Sequence, residues 1–293
     1  MKKVLFLGAT GIIAKSFFRN FEKKFILIGT YSSNKIKKFI KFDVLKNDIK
    51  IFLKKNYAEN VIIAIGNSNH DYCALNKKSS RKLNVLSLKK IINECVKNNQ
   101  KIIFLSSQMI FDGISGNYTE NSLTNSSLTY AKHKIEIEEY LKKKSRNFVI
   151  LRLSKVYGSR LNDNTILTNF YKKQYNDNHV LKLADDQIFN PVYDEDVSKV
   201  IKQVISKNMN GIFNIGGPKK ISRYHLILEC NKIFKKKVKL KRCSLDNFDL
   251  IEKHPKNTSF DLKKLKKIFK FKFKSHIDVS KIIIKYRKSI IKR

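Results

Sequence analysis

The stretch Val4-Leu5-Phe6-Leu7-Gly8-Ala9-Thr10-Gly11-Ile12-Ile13-Ala14 decides the fold. Four consecutive apolar residues suit a strand buried on both faces, and two glycines three residues apart follow at once. With Lys2 and Lys3 in front, the same stretch also imitates the basic and apolar regions of a secretory signal. What comes next separates the two. Ile12 to Lys23 reads as a helix, Phe25 to Gly29 as a second strand and Phe39 to Val44 as a third. Lys46 to Lys55 looks helical and Val61 to Gly66 is a very apolar strand. Ser79 to Asn98 carries Leu88, Ile91, Ile92, Cys95 and Val96 at helical intervals. A strand at Lys101 to Ser106, a helix at Tyr130 to Lys144 and a strand at Asn147 to Leu153 continue the alternation. Strands and helices alternating at this spacing imply right-handed crossovers and a doubly wound parallel α/β sheet of the Rossmann type.

Past residue 155 the pattern loosens. Asp186 to Pro191 reads as a loop, and Asp196 as the cap of a helix from Val197 to Ser206. Lys270-Phe271-Lys272-Phe273-Lys274 alternates charge and ring as a half-buried strand would. A contact with a membrane surface or polynucleotide is the other reading of that segment.

At 293 residues the chain is long enough for one large domain or two joined ones. Its 42% hydrophobic and 29% charged residues are a globular balance. No apolar run approaches the 18 or so residues of a membrane span. The net charge of +38 would ordinarily suggest nucleic acid, but 53 of the 62 basic residues are Lys and only 9 are Arg. Phosphate and base readers favour the bidentate guanidinium, so solvated lysine faces are the simpler account. The cysteines, Cys73, Cys95, Cys230 and Cys243, form no C-x-x-C pair, and the six histidines lack the spacing of a metal site. Free thiols in a reducing cytoplasm, and no metal, are expected.

A glycine turn between a strand and a helix is a place for a pyrophosphate: Gly8 for the tight turn, Gly11 for close backbone approach, small Ala14 for helix-to-strand packing. An ordinary tight βα turn has the same glycines. About 20 residues on, where an NAD-binding chain offers a carboxylate to the ribose, this sequence has Gly29-Thr30-Tyr31-Ser32-Ser33-Asn34-Lys35, with Lys37 nearby. Hydroxyls and lysines favour the 2′-phosphate of NADPH, with NADH as the alternative.

Ser107 follows a strand, and Tyr130 and Lys134 lie four apart on the next helix, where they share a face. An ammonium about 4 Å from a phenol contributes on the order of 4 kcal/mol at an effective dielectric near 20, roughly three pKa units, which would lower Tyr130 toward neutral pH. Such a Tyr exchanges a proton with a carbonyl or alcohol while Ser107 holds the oxygen. On its own, Tyr-x-x-x-Lys is also an ordinary surface turn.

Together these segments resemble the extended short-chain dehydrogenase/reductase family, over most of the chain. Leu105-Ser106-Ser107-Gln108-Met109-Ile110-Phe111-Asp112-Gly113 is similar to the family's strand-end motif in its sugar-nucleotide reductases. Tyr130-Ala131-Lys132-His133-Lys134 is similar to its active-site helix. Leu151 to Gly158, Asn190-Pro191-Val192 with Asp196, and Gly211 to Gly217 resemble later landmarks. The resemblance implies Ser107, Tyr130 and Lys134 as catalytic residues. Around the cofactor it implies Gly8, Thr10, Gly11, Ile12 and Ile13 at the pyrophosphate, Ser32 and Lys35 at the ribose, Asp43 and Val44 at the adenine, Ala64, Ile65 and Gly66 along the middle, and Asn84 near the nicotinamide. It also implies a dinucleotide-binding domain over residues 1–155, rejoined by 184–206, and a smaller C-terminal lobe for the sugar nucleotide over 156–183 and 207–293. His254-Pro255-Lys256-Asn257-Thr258-Ser259 resembles part of that lobe.

Within the family, dehydratases carry Asp-Glu after the catalytic Ser or Thr, where this chain has Gln108 and Met109. Neither does acid-base work, so dehydration is disfavoured. Reduction of a 4-keto sugar on a nucleoside diphosphate is the leading expectation. A sugar-nucleotide epimerase, a non-catalytic nucleotide-binding regulatory subunit and, from charge alone, a nucleic-acid binder are the alternatives. A homodimer is the one assembly the resemblance suggests.

Overall fold

Alternate residues of the first strand serve two cores. Val4 and Phe6 point to one face of the sheet, Leu5 and Leu7 to the other, and all four are fully buried, so a continuous apolar run is what the position demands. The computed structural model describes residues 1–173, 180–234 and 238–291; His179 and part of the expected lobe segment 156–183 fall outside them.

Strand β1 (Lys3–Leu7) leads through the glycine turn into α1 (Ile12–Phe21), then β2 (Ile26–Tyr31), β3 (Ile40–Lys41), α2 (Ile49–Lys55) and β4 (Asn60–Ile63). Next come α3 (His70–Leu75), α4 (Lys77–Arg81), a π-helical turn (Lys82–Leu86), α5 (Ser87–Lys97), β5 (Lys101–Ser107), α6 (Thr129–Lys144) and β6 (Phe148–Leu153). The chain continues with β7 (Val156–Tyr157), α7 (Ile166–Lys173), β8 (Leu181–Ala184), β9 (Ile188–Phe189), β10 (Val192–Tyr193), α8 (Asp194–Ser206) and β11 (Gly211–Ile215). It ends with β12 (Ile221–Ser222), α9 (Arg223–Phe234), β13 (Leu240–Cys243), α10 (Lys263–Ile268) and α11 (His276–Ile291).

Seven strands form one parallel sheet in the order β3-β2-β1-β4-β5-β6-β11. This is the doubly wound α/β fold that the sequence pattern predicts. The strand order reverses between β1 and β4, and the carboxyl ends on either side of that point frame the crevice in which such sheets bind ligands. α1 packs against α8 on one face, while α2, α5 and α6 cover the other. A separate apolar cluster of Tyr157, Phe170, Leu183, Phe189, Tyr193, Leu226, Phe234 and Ile283 forms the core of a smaller C-terminal lobe. Among the described residues no helix is long and apolar enough to cross a membrane.

Several expectations change. The helix expected from Ser79 to Asn98 is interrupted by the π turn, because the apolar period survives one extra residue per turn and cannot report it. The strand expected over Phe39 to Val44 shrinks to two edge residues: Asp43 accepts from Leu45 N at 3.0 Å and donates its own N–H to Asn47 Oδ1 at 2.7 Å, which turns the chain away. In the segment read as a loop, Ile188–Phe189 pairs antiparallel with Ile221–Ser222, a non-local partnership with no local signal.

Asp196 is no cap. The helix already starts at Asp194, and the Asp196 carboxylate accepts from Lys199 Nζ at 2.8 Å and Lys274 N at 2.6 Å. Lys270 to Lys274 forms no strand, although Phe271 and Phe273 do share a face, stacked 4.5 Å apart. Finally, β11 lies inside the stretch 207–293 expected in the lobe but pairs with β6 as the last strand of the main sheet.

Candidate active site

The glycine turn is held from β2. Gly8 N donates to Thr30 Oγ1 at 3.0 Å and Ala9 N to the Thr30 carbonyl at 2.7 Å. Gly8 has φ +86°, and a Cβ there would sit 2.9 Å from the Ala64 carbonyl carbon and oxygen, so both conformation and space call for glycine. Gly11 caps α1 without a side chain and no acidic residue occupies the first turn, which leaves the helix amides open to an anion.

Two cavities adjoin this turn. One of about 540 Å³ is lined by Gly8, Thr10, Gly11, Ser32, Asp43, Val44 and Ala64 to Gly66. The other, of about 210 Å³, is lined by Gly8, Gly11, Ile12, Ile13, Ala64 to Gly66, Asn84, Leu105, Ser106, Tyr130 and Lys134. Their shared residues, Gly8, Gly11, Ala64 to Gly66 and Ser68, join them end to end. The donor set fits an extended dinucleotide: bare amides at the middle, hydroxyls and no carboxylate at the end of β2, and Tyr130 at the far end. Lys35 is exposed and lines neither cavity.

Ser107 ends β5, and Tyr130 and Lys134 occupy the first two turns of α6. The Ser107 hydroxyl is hydrogen-bonded to the buried Tyr130 phenol and accepts from Met109 N at 3.2 Å. Lys134 Nζ donates to the Leu105 carbonyl at 2.8 Å and lies over the Phe104 ring at 4.6 Å. It stands 5.8 Å from the centroid of the Tyr130 ring.

The expected lowering of the Tyr130 pKa does not hold in this geometry. Burial pushes the phenol up to about 12, against the Ser107 hydrogen bond. Burial also brings the Lys134 ammonium down to about 8, with Glu138 pulling the other way. The phenol gains no resolved relief from Lys134, whose ammonium is engaged by the Leu105 carbonyl and the Phe104 ring face, and the ammonium itself is lowered by its own desolvation in spite of these contacts and of Glu138.

His70, His254, Glu252 and the Gly113–Pro255 contact escaped sequence reasoning, whereas Asn84 and Gln108 were expected at the site and are found beside it. The His70 ring stacks on Tyr130, centroids 5.1 Å apart, and its Nδ1 lies 3.3 Å from His254 Nε2 in the lobe. Burial and then His254 bring His70 down to about 4. Asn84, in the π turn, clamps the Asn67 backbone by accepting from its N–H at 2.7 Å and donating to its carbonyl at 2.9 Å. Glu252, from the lobe, accepts from Thr129 N at 2.9 Å and Thr129 Oγ1 at 2.6 Å, and so caps α6. Gly113 (φ +77°) lies against Pro255, where a Cβ would have no room. Gln108 accepts from Ser154 Oγ at 2.6 Å and is buried.

Beneath the site the fully buried Glu138 accepts from Arg152 Nη2 at 2.7 Å and from Ser106 Oγ at 2.5 Å. Arg152 in turn donates to the Glu120 carbonyl at 2.9 Å. This network ties β5, β6 and α6 together under the reactive side chains. The only sequence signal for it was Arg152 within a familiar segment. Among the described residues no group of three or more His, Cys, Asp or Glu could hold a metal ion.

Comparison with known proteins places these features in context. The family model described as the RmlD substrate binding domain matches residues 1–287. A dTDP-4-dehydrorhamnose reductase of Aggregatibacter actinomycetemcomitans is 25% identical over 283 residues, covering 92% of this chain and 94% of that protein. Methionine adenosyltransferase 2 subunit beta of Rattus norvegicus is 23% identical over 273 residues, 90% of this chain and 81% of that one. In three dimensions, dTDP-4-dehydrorhamnose reductase from Bacillus anthracis in complex with NADP superposes with a TM-score of 0.86 at 16% identity, covering 97% of this chain and 99% of that one, a likeness of fold.

Proposed function

The chain belongs to the RmlD substrate binding domain family, and from that premise we propose that it is an NADPH-dependent reductase of a 4-keto sugar carried on a nucleoside diphosphate. The observation that carries this reading is that Tyr130, with Ser107 bonded to its phenol, and Lys134 stand at the end of a cavity that begins on the glycine turn. Bound NADPH would supply hydride. Gly8, Thr10, Gly11, Ile12 and Ile13 would hold its pyrophosphate, Ser32 and Ser33 its ribose substituent, and Asp43 and Val44 its adenine. We assign Lys35 no contact in this arrangement.

Ser107 would donate a hydrogen bond to the keto oxygen and Tyr130 would deliver the proton as the alkoxide forms. A phenol held near 12 is fully protonated at neutral pH and remains more acidic than an alcohol, which suits a donor in the reductive direction. Lys134, at about 8, is mostly cationic at pH 7 and supplies positive charge beside the forming oxyanion, with ribose hydroxyls as its further ligand. We further propose that the apolar cluster around Tyr157, Phe170 and Leu226 marks the lobe that receives the sugar nucleotide. A cytoplasmic setting, where NADPH is made and four free thiols stay reduced, fits the reading.

The test is to follow NADPH oxidation with a panel of nucleotide-linked 4-keto sugars. One mole of NADPH consumed per mole of sugar reduced is expected. Turnover without net consumption would indicate an epimerase, and binding without turnover a regulatory subunit.

A further inference from the structure

Tyr130 is the second residue of α6, in a first turn whose amides have no partner within the helix and whose own cap, Leu128, makes no side-chain hydrogen bond. The missing cap arrives from 123 residues away. Glu252 Oε1 accepts from Thr129 N at 3.2 Å and from Thr129 Oγ1 at 2.6 Å, and Oε2 accepts from Thr129 N at 2.9 Å, so the backbone immediately before Tyr130 is fixed. Two residues on, His254 Nε2 meets His70 Nδ1 at 3.3 Å, with the two rings edge to face at 72°. The His70 ring in turn lies on the Tyr130 ring, centroids 5.1 Å apart. One tripeptide thus reaches Tyr130 twice, through its backbone and through its ring.

The tripeptide is itself anchored. Ile188 N donates to the Lys256 carbonyl at 2.7 Å, Thr258 N to the Ile188 carbonyl at 2.9 Å and Asn257 N to the Gly113 carbonyl at 2.9 Å. Gly113 lies in the loop that follows β5 and Ser107, and a Cβ there would stand 2.3 Å from Pro255 Cβ, so the two segments touch with no space between them. Proton delivery to a keto oxygen requires an aligned donor, and a displacement of about 1 Å costs on the order of 10²-fold in rate. The Ser107 hydrogen bond fixes the phenol oxygen and leaves the helix turn and the ring plane to other contacts.

We propose that Glu252 and His254 are positioning residues for the proton donor: Glu252 sets the first turn of α6 through Thr129, and His254 sets the ring plane of Tyr130 through His70. The proposal rests on the reductase reading and deepens it. Acting through Thr129 and His70, both residues change the chemical step and leave binding alone.

The experiment follows single-turnover reduction of a nucleotide-linked 4-keto sugar by NADPH-loaded protein over a range of sugar concentrations. Wild type, Glu252→Ala, Glu252→Gln, His254→Ala and His254→Gln are compared, each also combined with Tyr130→Phe. Each Ala variant is expected to lower the saturating rate about tenfold, with the half-saturating sugar concentration and NADPH affinity within about twofold of wild type. The Gln variants should recover most of the loss: an amide oxygen can accept from both Thr129 donors as Oε1 does, and an amide reaches the position of His254 Nε2. Combined with Tyr130→Phe, the same substitutions should cost nothing further, since the donor they position is gone. Wild-type rates in both Ala variants, or an equal loss with and without Tyr130→Phe, would overturn the proposal. A second readout needs no turnover. The ultraviolet titration of the Tyr130 phenol, taken as the difference from the matching Tyr130→Phe protein, should move to lower pH in His254→Ala, because the ring that covers the phenol loses its support. An unmoved titration would overturn the role of His254. A downward shift in a protein that reduces no sugar would leave that role standing and overturn the reductase.

Discussion

The imidazole of His70 lies over the phenol of Tyr130, ring centroids 5.1 Å apart and planes inclined by 30°, and so seals the reactive side chain on the side facing the lobe. Because desolvation is the main reason the phenol stands near 12, uncovering it should bring the pKa down toward the ordinary value near 10. We expect His70→Ala to shift the Tyr130 phenolate titration to lower pH. The ultraviolet difference between His70→Ala and the His70→Ala, Tyr130→Phe double variant isolates that signal. An unmoved titration would mean that His70 does not seal the phenol.

The two glycines of the turn should fail differently. Gly8→Ala combines φ +86° with a Cβ 2.9 Å from the Ala64 carbonyl, so a stability loss of about 1–3 kcal/mol is expected. At Gly11 the nearest neighbour of a Cβ is the Gly8 oxygen at 3.9 Å. Gly11→Ala should therefore melt like wild type and yet bind NADPH at least about tenfold more weakly, because the added methyl stands where the pyrophosphate approaches the amides. Thermal melts with and without NADPH separate the two effects.

Glu138 and Arg152 are 1% and 2% exposed as side chains, so removing one partner strands the other's charge. Denaturant titration should find Glu138→Gln destabilised by about 3–5 kcal/mol, and Glu138→Met with Arg152→Met much closer to wild type. Equal losses in the single and double variants would contradict this.

Stability should also carry a signature of Asp194, which burial, with Asp163 nearby, pushes up to about 7, against the pull of Arg19. A carboxyl whose pKa is higher folded than unfolded contributes stability below the unfolded value near 4 and loses it as pH rises through about 7. Asp194→Asn keeps an acceptor for Glu195 N and has no charge to bury. Its melting temperature should match wild type at pH 4, exceed it increasingly between pH 4 and 7, and hold a constant advantage above that, with on the order of 4 kcal/mol as the ceiling. A constant offset from pH 4 to 7 would refute the assignment.

The fold was legible because Leu5 and Leu7 alternate with Val4 and Phe6 between two apolar layers, and because Gly8, Gly11, Tyr130 and Lys134 sit at fixed offsets from strand ends. What stayed hidden depends on distance in space. His70 and His254 are 184 residues apart and meet only through the tertiary fold. Glu252 and Thr129 are separated by 123 residues. The π turn at Asn84 leaves the apolar period nearly intact, and the pairing of Ile188–Phe189 with Ile221–Ser222 has no local cue. The electrostatics of Tyr130 were misjudged for a related reason: helical spacing places Lys134 on its face without revealing that Leu105 already engages the ammonium or how dry the phenol is.

The most direct test is the single-turnover rate of keto-sugar reduction by Tyr130→Phe loaded with NADPH, beside its NADPH affinity. A loss of about 10²–10⁴-fold in the rate with cofactor binding intact is expected of a proton donor. A Tyr130→Phe protein that reduces the sugar at the wild-type rate would contradict the account.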